Sequence, residues 1–305
     1  MKKTRKGEDK AATESGEQDG KMQIKFMTYN VWCREDVVVH KRMKAIGEHV
    51  RKHSPDVIFF QEVTPYIHSI FESFAWWKSY HCSPVPPEDQ TGNRHFCLMM
   101  SKLRLQGYAR WKFGTSPTGK CYLEADITPG PASSTQPIRI ATTQLECPVP
   151  PESMHLRERY MQAKHAVSAL SSADNVVFGG DMSWDDDADL PFPLHNGWFD
   201  AWAKLTCGTD SYSGWTCDSF WVEKLGEFNG HIVHEPWTKK RSDRFLCKLQ
   251  DYTLKTIQLI DGGQGFGGFG PVHGIRYTNY RTGIISDVAL RQSCHRGLVL
   301  TIVPK

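Results

Sequence analysis

Acidic, amide and imidazole side chains stand where apolar runs of this sequence stop or start. Asn30 follows Ile24-Lys25-Phe26-Met27-Thr28-Tyr29, Gln61 and Glu62 follow Asp56-Val57-Ile58-Phe59-Phe60, and Asp181 follows Asn175-Val176-Val177-Phe178-Gly179-Gly180. Asp243 precedes the run Arg244–Leu249, and His295 lies just ahead of Gly297–Val303. A hard divalent cation takes oxygen ligands, and Glu62 offers a carboxylate; magnesium keeps several waters and is completed by substrate phosphate, so one strong protein carboxylate is enough. Asp181 suits the positioning and deprotonation of an attacking water. A protonated His295 suits phosphate oxygens as charge builds on them. Asn30 can donate its amide to the same oxygens or orient a carboxylate, and Asp243 can accept from His295 and hold its ring and charge. Together these make a metal-assisted phosphodiesterase. Taken singly, each has an ordinary reading as a turn residue, a solvated acid, a cap or a surface histidine. Only the combination and its order point to chemistry.

Such a set works only on a rigid frame, and the surrounding pattern supplies one. The runs ending at Asn30, Glu62 and Asp181 read as strands, those at 56–60 and 175–178 apolar enough to be buried on both faces. Residues 40–53 place Met43, Ile46 and Val50 at helical spacing, and Ser54-Pro55 stops that helix because the residue before proline avoids helical angles. Further strands are expected at Phe96–Met100, Gly119–Ile127, Ile138–Leu145, Arg244–Leu249, Leu254–Leu259 and Gly297–Val303. A helix is expected over 153–171, with Met154, Tyr160, Met161, Ala163, Ala166 and Leu170 mostly on one side. Helices falling between strands, with no linker dividing 22–305, imply one α/β domain of two packed sheets with helices outside. Residues 1–21, polar and without apolar periodicity, read as a disordered tail. The glycine-rich stretch 261–274 does not follow a strand and open a helix, so it reads as a flexible loop and not a dinucleotide fingerprint.

Composition narrows the class. The chain has 305 residues, 39% hydrophobic and 23% charged, which is globular. No run approaches about 18 apolar residues, so no membrane partner is expected. A net charge of +3 allows a polyanionic partner without demanding one. The nine cysteines are scattered, with no Cys-x-x-Cys pair and no secretory pattern ahead of them, so reduced thiols in the cytosol or nucleus are expected. Lys2-Lys3-Thr4-Arg5-Lys6 is a faint nuclear address.

Thr28-Tyr29-Asn30, Gln61-Glu62-Val63, Gly180-Asp181-Met182-Ser183-Trp184, Ser242-Asp243-Arg244-Phe245 and Ser293-Cys294-His295-Arg296-Gly297-Leu298 resemble, in order, the motifs of the endonuclease/exonuclease/phosphatase superfamily. Within it, the chain is similar to the tyrosyl-DNA phosphodiesterases, in a form like the plant members. The resemblance spans 22–305 and implies a catalytic domain built as a four-layered α/β sandwich, two mixed β-sheets flanked by helices. It implies Mg²⁺- or Mn²⁺-dependent hydrolysis of the 5′-phosphotyrosyl-DNA bond, freeing topoisomerase II adducts from DNA ends in double-strand break repair. The expected compartment is then the nucleus, with the cytoplasm as a second location. By position Asn30, Asp181, Ser183, Asp243 and His295 are the catalytic set and Glu62 is the metal ligand. Trp32, Arg34, Trp184, Trp215 and Arg244 lie near motif positions and are candidates to line a groove for single-stranded DNA, where indoles stack on bases. Arg244 also reads as structural, and Trp32 as core.

The chain departs from that pattern in four places. Cys294 replaces the usual Asp before the last histidine and removes a negative charge. Ser183 stands where many members have Asn, Gln144 where other branches have His, and Trp32 where some animal members place an acid. Two alternatives therefore accompany the first reading. One is another phosphodiesterase of the superfamily, such as an abasic-site endonuclease, a deadenylase or a sphingomyelinase-like enzyme. The other is a nucleic-acid-binding protein whose chemistry is impaired by Cys294.

Overall fold

The computed structural model describes residues 22–90, 95–130, 135–149, 153–206, 214–218, 239–260, 273–278 and 285–305. The expected tail 1–21 and all but the end of the glycine-rich stretch 261–274 lie outside the described residues. In chain order the elements are β1 (Ile24–Asn30), α1 (Val39–His53), β2 (Val57–Val63), α2 (Pro65–Glu72), β3 (His81–Cys82), β4 (Phe96–Ser101), β5 (Gln106–Lys112), β6 (Cys121–Ile127), β7 (Ile138–Gln144), α3 (Leu156–Leu170), β8 (Asn175–Asp181), β9 (Trp198–Asp200), α4 (Ala201–Leu205), β10 (Cys217–Asp218), β11 (Lys239–Lys240), β12 (Asp243–Leu249), β13 (Tyr252–Ile260), β14 (His273–Thr278), β15 (Ile285–Leu290) and β16 (Gly297–Pro304).

Two six-stranded sheets carry the fold, in the orders β13-β16-β1-β2-β4-β3 and β5-β6-β7-β8-β12-β9. Each is antiparallel apart from one pair, β1 with β2 and β7 with β8. A parallel pair requires a crossover, which is α1 in the first sheet and α3 in the second. The apolar runs are continuous because alternate residues enter different layers. Phe26, Val57 and Phe59 meet Ile140, Val177 and Phe245 between the sheets. Met27, Ile58 and Phe60 pack instead with Met43, Ile46 and Val50 of α1 and Ile67 and Phe71 of α2. Val176 and Phe178 pack under Ala163, Val167 and Leu170 of α3. The layers run helix, sheet, sheet, helix, which is the expected four-layered α/β sandwich with two mixed sheets.

Two glycines set how closely the layers approach. A Cβ on Gly180 would lie 2.2 Å from the Thr143 carbonyl oxygen on the neighbouring parallel strand. A Cβ on Gly179 would lie 2.6 Å from the Phe245 ring and 2.9 Å from that of Phe59 across the sheets. Gly-Gly before Asp181 is therefore a packing requirement.

Some local expectations are corrected. Strand β5 is not among the expected elements, and none of its residues is buried; helix α2 is not among them either, although Ile67, Ile70 and Phe71 stand at helical spacing behind the Thr64 cap and Pro65. On α3 the buried stripe is Arg159, Gln162, Ala163, Ala166, Val167 and Leu170, while Met154 and Met161 are exposed. The eight cysteines among the described residues are free thiols, and no helix among them is long and apolar enough to cross a membrane.

Candidate active site

The carboxyl ends of the two parallel pairs open on one rim, the place where strand ends in α/β sheets present side chains to a ligand. Asn30 ends β1 opposite Gln61, and Gln144 ends β7 opposite Asp181 of β8. Strand β12 runs antiparallel to β8 and so begins here, with Asp243 opposite Asp181. His295 bridges to Cys217 and leads into β16. Glu62 is aimed by a bulge. The β2–β4 register jumps from Phe60↔Leu98 to Val63↔Phe96, and Glu62 takes a left-handed φ of 59°. Trp32 (φ 61°) and Ser183 (φ 49°) share that conformation. It costs about 1–2 kcal/mol for a residue with a Cβ, and such strain collects at sites that the surrounding fold over-determines.

Two amides bridge the same two carboxylates. Asn30 Nδ2 donates to Glu62 Oε1 and to Asp181 Oδ2, both at 2.9 Å. Gln144 Nε2 donates to Glu62 Oε1 at 2.8 Å and to Asp181 Oδ2 at 3.3 Å. Glu62 Oε2 accepts the Cys33 backbone N–H, at 3.0 Å. Asp181 Oδ1 accepts from the Ser183 backbone N–H and from Ser242 Oγ, both at 2.8 Å. Ser293 Oγ donates to the Asn30 carbonyl and accepts the His295 N–H, tying the last motif to β1. His295 Nδ1 lies 2.8 Å from Asp243 Oδ2, and the Asp243 N–H is capped by Thr216 Oγ1. His295 Nε2 stands 4.0 Å from Asp181 Oδ2, too far for a hydrogen bond, so the two groups can meet a common oxygen only from one side.

The charges follow from this wiring. Burial alone would raise the Asp181 carboxyl, but His295 and the donors from Ser242, Ser183 and Asn30 outweigh it and hold it at about 2. Burial would likewise depress the His295 imidazole, but the Asp243 carboxylate leads the groups that raise it well above its ordinary value. The pair is an imidazolium held by a carboxylate. Glu62 is pulled down against its burial, chiefly by His95 and His295 and by the Asn30 amide. The rim opens on a cleft of about 710 Å³ lined by Glu62, Gln144, Lys120, His95, Tyr108 and Arg110 among others.

Residues 27–282 match the model of the endonuclease/exonuclease/phosphatase family. The chain belongs to that family. Its fold is that of the family's phosphodiesterases, as the solved structures show. TDP2 from Caenorhabditis elegans is similar at 18% identity, with 92% of this chain and 74% of that one covered and a TM-score of 0.66. TDP2 from Danio rerio, complexed with a single-strand DNA product, is similar at 19% identity over 92% and 98%, with a TM-score of 0.65. The human Nocturnin catalytic domain with bound sulfate is similar at 13% identity over 93% and 94%, with a TM-score of 0.62. No curated protein sequence matches the chain.

Enzymes of the endonuclease/exonuclease/phosphatase family generally depend on a divalent metal, and the donor set here fits one. Glu62, Asp181 and Asp243 supply hard oxygens, and Asp243 Oδ1 is buried without a hydrogen-bond partner among the described residues. The tightest group is Asp181, Asp243 and His295, with ligand atoms within 4.8 Å of one another. A protonated His295 offers no lone pair, however, and both Asp181 oxygens already accept two hydrogen bonds. Glu62 lines the cleft and Asp181 and Asp243 do not, so of the three it is the carboxylate best placed to meet a cation there.

The fold brings together Asn30, Glu62, Asp181, Ser183, Asp243 and His295. Between the two roles open to Asn30, the structure selects the orienting one, because both of its N–H groups are spent on carboxylates. Cys294 packs with Trp32 and Val37 and also contacts the His295 side chain, and burial pushes its thiol up, so it is neutral. The groove residues fare differently. Trp184 is 1% exposed and stacks on Phe192, with its N–H on the Leu190 carbonyl, so it belongs to the core under α3. Arg244 is 3% exposed and pairs with Asp186 and Asp200. Trp32 is 8% exposed beneath the Arg42 guanidinium. These three are packing residues because their polar or aromatic groups already have partners inside. Arg34 is partly exposed and held in a two-point pair with Asp36. Trp215 is half-buried with Lys239, Arg291 and Arg296 over its ring.

Sequence reasoning missed Arg42 and Lys120. The buried Arg42 guanidinium donates to the carbonyls of Val31, Trp32, Arg34, Val37 and Gln292, shaping the loop after β1. An arginine on an otherwise polar helix face gives no sign of this. Gln144 was visible only as a departure from histidine.

Proposed function

We infer that the protein is a metal-dependent phosphodiesterase that hydrolyses the 5′-phosphotyrosyl bond at DNA ends, such as those trapped by topoisomerase II, and that it acts in the nucleus. The observation that carries the reading is the meeting of Glu62, Asp181 and the Asp243–His295 ion pair at one rim beside an open cleft. Glu62 would hold Mg²⁺ or Mn²⁺, which when bound withdraws charge from the phosphoryl oxygens. The His295 imidazolium, fixed through Nδ1 by Asp243, would offer its Nε2–H beside Asp181 to a phosphoryl oxygen as it gains charge. Asp181 stays ionised and orients an attacking water; with a pKa of about 2 it acts as an acceptor and aligner more than as a strong base. Ser183 Oγ, beside Asp181 and Cys147, is a further donor at the same oxygens. Trp215 with its three cations supports a single-stranded DNA ligand. The impaired-binder alternative rests on the charge lost at Cys294; the Asp243 carboxylate, 2.8 Å from His295 Nδ1, supports the enzyme reading instead.

The test is the purified protein, with and without Mg²⁺, on matched 5′-tyrosyl, 3′-tyrosyl and abasic-site oligonucleotides. Mg²⁺-dependent release of tyrosine from the 5′ substrate alone is expected. Cleavage of the abasic substrate instead would transfer the assignment to an endonuclease of the same family.

A further inference from the structure

Lys120, at the entrance to β6, touches neither acid of the site, yet it sits at the end of a continuous chain of bonds that reaches both. Its ammonium donates to Gln144 Oε1 at 2.7 Å. The other end of that amide, Nε2, spans Glu62 Oε1 and Asp181 Oδ2. An ammonium can only donate, so the amide oxygen must face Lys120 and the NH₂ must face the carboxylates. Glu62 and Asp181 are ionised and accept only, so they too demand the NH₂; what Lys120 adds is the donor that holds the amide oxygen at the far end. Lys120 is itself braced. Its backbone N–H donates to Ser116 Oγ at 2.7 Å, and Ser116 Oγ donates to Glu146 Oε2 at 2.8 Å. Thr118 Oγ1 also bonds Glu146. Gln162 of α3 holds Glu146 from behind at 3.0 Å.

We propose that Lys120 is a positioning residue that anchors the Gln144 amide by its oxygen and, through it, fixes the geometry of Glu62 and Asp181 for a divalent cation. This rests on the reading of Glu62 as the cation's ligand. It assigns Lys120 an action through Gln144, not on the substrate phosphate.

The experiment compares wild type, Lys120→Met, Lys120→Arg, Gln144→Ala and the Lys120→Met/Gln144→Ala double variant in the full chain. One measurement is Mn²⁺ affinity by electron paramagnetic resonance. The other is the Gln144 side-chain amide signal in a ¹⁵N-correlated NMR spectrum, assigned by its loss in Gln144→Ala. Lys120→Met is expected to weaken Mn²⁺ binding about tenfold, the low end of what losing a group that braces a metal ligand costs. In the Gln144→Ala background, where only a positive charge is lost, it is expected to leave affinity equal or tighter. The Gln144 amide protons should be slow to exchange in wild type and Lys120→Arg and fast in Lys120→Met. An equal loss of affinity in both backgrounds, or an amide signal indifferent to Lys120→Met, overturns the proposal. If wild type itself binds no Mn²⁺, the cation reading of Glu62 fails, and the amide signal alone still decides whether Lys120 positions Gln144.

Discussion

Asp181 accepts four hydrogen bonds within 3.3 Å, which explains both its low pKa and its sensitivity to replacement. Asp181→Asn keeps the volume but presents an NH₂ to donors. It is expected to lower kcat by about 10²–10⁴-fold, the range for a positioned acid or base, while urea unfolding shows the chain still folded. Asp243→Asn tests the ion pair by pH. In wild type the raised His295 pKa keeps the imidazolium to high pH, and activity falls only as pH rises through that value. With the carboxylate gone, burial is the leading influence left and lowers the His295 pKa. The alkaline limb of kcat/KM should therefore move to lower pH, and an unmoved limb would remove His295 from the charged step. The stability linked to this proton has the same sign: full below about 6.5, and lost as pH rises through the folded value.

Each parallel pair delivers one acid and one amide: β1 and β2 deliver Asn30 and Glu62, and β7 and β8 deliver Gln144 and Asp181. The two amides then cross the gap between the sheets. Gln61 adds a second link, its Nε2 donating to Thr142 Oγ1 at 3.1 Å. The rim therefore depends on how closely these strands approach. Gly180→Ala forces a Cβ against the Thr143 carbonyl and should separate β7 from β8, with a loss of roughly 3 kcal/mol in urea unfolding, the upper part of the usual range for overpacking. Because Gln144 and Asp181 are a registered pair, activity should fall further than stability does. Unchanged stability would mean that the 2.2 Å approach is relieved elsewhere.

Across the whole molecule the core is apolar and independent of any cation, while the rim gathers three carboxylates against one imidazolium. Chelation with EDTA is therefore expected to leave the chain folded. Added Mg²⁺ should raise the thermal midpoint, because a ligand bound only by the folded state stabilises it by about 2.7 kcal/mol at a hundredfold excess over Kd. Glu62→Gln should abolish that rise. If the rise persisted in Glu62→Gln but vanished in Asp243→Asn, the cation would belong to the Asp181–Asp243–His295 group instead.

The layered fold and the order of the polar strand ends were legible in the sequence because strand burial is a local pattern. A residue buried on both faces of a sheet must be apolar wherever the chain goes next. Asn30, Glu62, Asp181, Asp243 and His295 stood out for that reason, as polar groups where such runs break. Only the tertiary structure decided the rest. The Cys294 thiol, packed with Trp32 and Val37, meets His295 as a neutral group, while Asp243, 52 residues before His295 in the chain, brings the carboxylate that reaches the imidazole. Trp184 and Arg244 turned inward for the same kind of reason, their partners Phe192, Asp186 and Asp200 being brought to them by folding. Lys120 and Gln144 gained a role only once β6 and β7 lay side by side. Hydrogen-bond partners separated by tens of residues leave no periodicity along the chain, so their pairing is written only in three dimensions.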